Sequence, residues 1–99
     1  MADNQRDYEL VYIAKPELED TVITEINERL IGVVREQGGE MDGIDLWGRR
    51  QLAYPINNHF EGYYVLHRFE MPPAGAGGID RALRFDENVI RYLLMLSDD

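Results

Sequence analysis

Tyr8-Glu9-Leu10-Val11-Tyr12-Ile13-Ala14-Lys15-Pro16-Glu17-Leu18-Glu19-Asp20-Thr21-Val22-Ile23 changes its hydrophobic period part-way along. Residues 8–14 are rich in β-branched and aromatic side chains and predict a strand. It ends at Lys15-Pro16, because proline disfavours helical backbone in the residue before it. From Asp20 onward Val22, Ile26, Leu30 and Val33, with Ile23 and Val34 beside them, recur at three and four positions and trace a helical stripe. Glu17, Glu19 and Asp20 place negative charge at the positive end of that helix dipole, and Gly38-Gly39 ends it. A strand followed by a covering helix is thus the opening unit.

Reading on, residues 40–47 and 49–56 flank Gly48 and fit either a pair of strands or one long bent strand, with Pro55 near the end. Asn57-Asn58 signals a turn, residues 60–71 predict a long aromatic strand, and Pro72-Pro73 closes it. The segment Ala74-Gly75-Ala76-Gly77-Gly78 is expected to open a short helix reaching about Phe85, with a weak first turn, since each interior glycine costs about 1 kcal/mol against alanine. Asp86-Glu87-Asn88 is a turn, and residues 89–96 form the last strand. The order strand, helix, strand, strand, helix, strand is the ferredoxin-like βαββαβ plan, of the α+β class: a four-stranded antiparallel sheet with both helices on one face.

Length and composition bound the function. The chain of 99 residues fits one domain over 1–99, with a core at about 8–96, a polar N-terminal arm and a short acidic C-terminal tail. Its net charge is -9, the opposite of what a stand-alone nucleic-acid or anionic-membrane binder needs. With no cysteine, a disulfide framework, a thiolate metal site and a cysteine nucleophile are all excluded. No stretch approaches the roughly 18 apolar residues of a membrane span, and the polar start has no apolar signal core, so a cytoplasmic location is expected.

Catalytic material is scarce. Ser97 is the single serine and stands beside two aspartates near the chain end. His59 and His67 read as a turn and a sheet histidine, and His59-Phe60-Glu61 offers two ligands where zinc wants three or four. Asp42 with Asp45, and Glu17 with Glu19, read as solvated charges, because nothing apolar encloses them to raise a pKa. The glycines at 75, 77 and 78 lack the glycine a dinucleotide fingerprint needs at Asp80, and no Gly-Lys-Ser/Thr occurs. In an acylphosphatase-like use of this plan the loop Lys15-Pro16-Glu17-Leu18-Glu19 is too acidic to cradle phosphate. Compared with the RNA-recognition-motif signature, Glu61-Gly62-Tyr63-Tyr64-Val65-Leu66-His67-Arg68 keeps the glycine and Tyr63 but loses the base-stacking platform. No enzyme activity, cofactor or metal is expected.

Alternation sorts the strands into two faces. Leu10, Tyr12, Ala14, Tyr63, Val65, His67, Phe69, Met71, Tyr92, Leu94 and Leu96 are assigned to the core under the helices. The opposite face carries Val11, Ile13, Leu66, Leu93 and Met95 among charged residues, an apolar patch of the kind that meets a partner protein. Arg49-Arg50, beside Trp47 and Gly48, is the one adjacent basic pair, suited to clamping phosphates.

Tyr8-Glu9, Pro16, Gly48-Arg49-Arg50-Gln51-Leu52-Ala53-Tyr54-Pro55-Ile56, Gly62-Tyr63-Tyr64, Glu70-Met71-Pro72 and Asp86-Glu87-Asn88-Val89-Ile90-Arg91 together resemble the family of bacterial small ribosomal subunit protein six. The resemblance implies a non-catalytic constituent of the small ribosomal subunit. It would bind the central domain of the small-subunit RNA together with small ribosomal subunit protein eighteen. Carried over by position, Arg49, Arg50 and Arg91 become the candidate RNA-binding residues, and Val11, Ile13, Leu66, Leu93 and Met95 the candidate partner face. A basic partner that shares the phosphate contacts would also account for the acidic charge. The sequence departs from the family at Asp7, at Ile90 and in the glycine-rich start of the second helix. Two other functions use the same topology: a small-molecule-sensing regulatory domain and a protein-only adaptor.

Overall fold

β1 (Arg6–Ala14) and β3 (His59–Met71) pair antiparallel, from Arg6 opposite Met71 to Ala14 opposite Tyr63, and form the centre of a four-stranded sheet. β2 (Glu40–Ile56) flanks β3 and β4 (Val89–Leu96) flanks β1, both antiparallel, giving the order β2-β3-β1-β4. With α1 (Asp20–Glu36) and α2 (Ala76–Arg84) this is the βαββαβ arrangement the hydrophobic periods predict. The structure, a computed structural model, describes residues 5–97. Met1–Asn4 of the expected N-terminal arm and Asp98–Asp99 of the expected acidic tail lie outside the described residues. Arg6 and Asp7, also assigned to the arm, belong instead to β1, because their backbone continues the ladder opposite Met71 and Glu70.

The helices and one sheet face enclose a single core: Leu10, Tyr12, Val65, Phe69 and Met71 meet Ile23, Ile26, Leu30 and Val34 of α1 and Ile79 and Leu83 of α2. α1 is turned slightly from the expected stripe. Ile23 and Val34 are buried at its centre, while Val22 and Val33 lie half-buried at its margin. Gly38 and Gly39 end it, donating to the carbonyls of Arg35 and Val34. The glycine-rich segment starts as a short 3-10 turn at Pro73–Gly75 and becomes α-helical at Ala76, in keeping with a weak first turn. One core assignment fails. Leu96 is 54% exposed, since at the end of an edge strand neither helix reaches over it.

β2 is one long strand with register shifts rather than two strands. The shift between Leu46 and Gly48 inserts Trp47 as an extra residue, and Gly48 there has φ of +85°, a conformation glycine adopts without penalty. At Asn57 and Asn58 the φ values are 50° and 68°, as a two-residue hairpin turn between β2 and β3 requires.

Candidate nucleic-acid and partner interface

The face of the sheet away from the helices can be read row by row from the strand register. At one end Glu70 stands opposite Asp7; in the next row Arg68, Glu9 and Met95 align; then Asp45, Leu66, Val11 and Leu93; then Gly48, Tyr64, Ile13 and Arg91; and finally Arg50 opposite Gly62. The face therefore grades from acidic, through aliphatic, to aromatic and basic. At the acidic end the register shift after Met41 brings Asp42 to Asp7 and Glu70, so that carboxylate oxygens from all three lie within 4.8 Å of one another. No spacing in the sequence announces this cluster, because it depends on the register of three strands. Asp45 is not in that cluster and pairs with Arg68 at 3.0 Å.

The candidate partner residues divide by accessibility. Leu93 is 58% exposed and Met95 is also open, whereas Val11 is half-buried, Ile13 is 8% exposed and Leu66 is 5% exposed. Leu66 stands between Asp45 and Val11 in its row, and in the next row the Arg68 guanidinium reaches across to Glu9 at 3.4 Å and Asp45 at 3.0 Å. Ile13 fills the space that Gly62 leaves: a Cβ on Gly62 would overlap Ile13 Cγ2. Accordingly, Gly62→Ala is expected to displace a buried side chain and cost about 2 kcal/mol, measured as a drop in urea unfolding free energy. An unchanged midpoint would mean that Ile13 repacks freely.

The candidate RNA residues are divided too. Arg49 and Arg50 are successive strand residues, so their side chains leave opposite faces of the sheet. On the helix side Arg49 donates from Nε to the Pro16 carbonyl at 2.6 Å and from Nη2 to the Leu18 carbonyl at 3.4 Å, and lies over the Tyr63 ring. It holds the loop between β1 and α1. Arg50 lies over the Trp47 ring at 5.0 Å, and Trp47 stacks on Tyr64 with centroids 6.2 Å apart. Arg91 borders two shallow grooves, one of about 160 Å³ with Ile13, Leu52, Tyr54 and Tyr64, the other of about 240 Å³ with Val11, Tyr92 and Leu93. Trp47, Tyr54 and Tyr64, which the sequence reading does not name as site residues, share this face with Arg50 and Arg91; the signal present was Trp47 three positions before Arg50.

Under the sheet, Asn27 Oδ1 accepts from Tyr12 O–H at 2.6 Å and lies 2.8 Å from His67 Nε2. That arrangement places the histidine proton on Nε2 and leaves Nδ1 buried without a partner among the described residues. Burial lowers the His67 pKa to about 4 and raises that of Tyr12. As the core assignment of His67 implies, the group lies inside the fold, away from the open face. No helix among the described residues is long and apolar enough to cross a membrane.

Residues 7–95 match the family model described as Ribosomal protein S6. Small ribosomal subunit protein bS6 of Desulforamulus reducens is 40% identical over 90 residues, covering 91% of this chain and 95% of that one. The bS6 protein of Mycobacterium leprae is also 40% identical, over 93 residues, covering 94% and 97%. Among solved structures, 30S ribosomal protein S6 from Thermotoga maritima superposes with a TM-score of 0.88 at 23% identity, covering 94% of this chain and 88% of that one, which supports the shared fold.

Proposed function

The chain belongs to the ribosomal protein S6 family of the small subunit, and from that premise we propose that it binds the central domain of the small-subunit ribosomal RNA jointly with small ribosomal subunit protein eighteen, as a non-catalytic, single-domain component. The observation that carries this reading is the family match over nearly the whole described chain. The graded face supports it. A basic protein partner suits the end bearing Asp7, Glu9, Asp42 and Glu70, with the exposed Leu93 and Met95 beside it, and RNA phosphates suit the end bearing Arg50 and Arg91. Division of labour also reconciles RNA contact with a net charge of -9.

The test is binding of a central-domain RNA fragment at moderate salt, with the chain alone and with protein eighteen added. Tight binding that needs both proteins is expected; no binding in either case would overturn the reading. Replacing Arg50 and Arg91 together by alanine is expected to reduce the slope of log affinity against log salt by about two, roughly one per phosphate contact. Arg49→Ala should leave that slope unchanged, because its guanidinium is engaged by the Pro16 and Leu18 carbonyls. A loss of slope in Arg49→Ala and none in the double variant would reverse the assignment.

A further inference from the structure

We propose that the groove between Tyr54 and Tyr64 is a site for one unpaired RNA base, stacked on a tyrosine ring, with Arg50 and Arg91 on the neighbouring phosphates. The inference rests on the RNA reading above and specifies how the open face would hold RNA. The groove, about 160 Å³, is walled by Ile13, Leu52, Ile56 and the two tyrosines, and Arg91 is the one charged side chain along it. Apolar and aromatic walls with a cation at the border match a nucleobase and its phosphate, since every base has a π face and stacking is indifferent to sequence.

Two further observations point to the same ligand. Tyr64 is fixed by its stack on Trp47, at an interplanar angle of 19°, and Arg50 lies over that indole, so arginine, tryptophan and tyrosine form a pre-arranged column. A ring already fixed loses little freedom when a base stacks on it. The cations are also available. Arg29, Arg68 and Arg84 each pair with a carboxylate, whereas Arg50 and Arg91 have no carboxylate partner among the described residues, in a chain where acidic groups outnumber basic ones 19 to 10. Unpaired guanidinium groups in such a chain favour an external anion over a basic peptide, which the acidic end of the same face attracts instead.

Trp47 is the single tryptophan, so its emission reports on the column directly. The central-domain RNA fragment is added to the chain in the presence of protein eighteen, with affinity read by anisotropy of labelled RNA. Addition of RNA is expected to change Trp47 emission. Tyr54→Ala, at a position 61% exposed and without a structural role in the core, is expected to weaken RNA binding roughly tenfold, and Tyr54→Phe to restore it. Full affinity in Tyr54→Ala with unmoved Trp47 emission would overturn the base site while leaving the RNA reading intact. An equal emission change on adding protein eighteen alone would overturn it in favour of a protein occupant. Absence of RNA binding by the unaltered chain would overturn both this site and the parent reading.

Discussion

Leu93→Lys is expected to weaken pairing with a basic protein partner at least a hundredfold while leaving the fold in place. Leu93 lies opposite Val11 on the edge strand, in the aliphatic row between the acidic and the aromatic ends of the face, and borders the groove of about 240 Å³. A partner seated there would have to bury the new ammonium against its own positive surface, and like charges juxtaposed at an interface cost several kcal/mol. The side chain is mostly exposed in the free chain, so the change in folding stability should stay within about 0.5 kcal/mol. Titration calorimetry with protein eighteen, beside a thermal melt, separates the two effects. An unaltered affinity would place the partner on another surface. Ile13 and Leu66 cannot serve for this test, because both are buried and their replacement would disturb the sheet itself.

The element order was readable because each segment keeps one period: alternation in residues 8–14, three-and-four spacing after Asp20, and breakers at Pro16, Gly38 and Pro72. Details of the open face were less readable, for identifiable reasons. Alternation alone assigns side chains to faces only while the register is unbroken, and β2 shifts at three places. Those shifts put Trp47 over Tyr64 and Asp42 beside Glu70, contacts that no count along the chain reveals. Burial on a face without helices was equally hidden: Leu66 is 5% exposed although its strand neighbour on that face is Arg68, which bridges two carboxylates. Asn27, by contrast, left a trace. It sits four residues after Ile23 and three before Leu30, a polar side chain on an apolar helical stripe, and such a position implies a buried hydrogen-bonding partner.

The partners of Asn27 make the fold acid-sensitive, an effect expected to reach about 3 kcal/mol. His67 is fully buried, its Nε2–H directed to Asn27 Oδ1 and its Nδ1 without an acceptor, so a second ring proton would be both desolvated and unpaired. Its pKa falls from 6.5 to about 4 on folding. Between those values the unfolded chain binds a proton that the native chain refuses, so the unfolding free energy decreases as pH falls from 6.5 toward 4. The contribution is fully present above pH 6.5, and at 1.36 kcal/mol for each pH unit the window amounts to about 3 kcal/mol. Carboxylates also titrate near the lower end, so the variant His67→Leu supplies the reference: it removes this step while keeping the others. Urea unfolding at pH 7 and pH 4.5 should show a larger loss for the parent chain than for His67→Leu, although the variant starts less stable because Asn27 Oδ1 loses the His67 donor and keeps only Tyr12. Equal losses would mean that His67 accepts its proton inside the fold, which in turn would require Asn27 or α1 to move away from the ring and admit water to Nδ1.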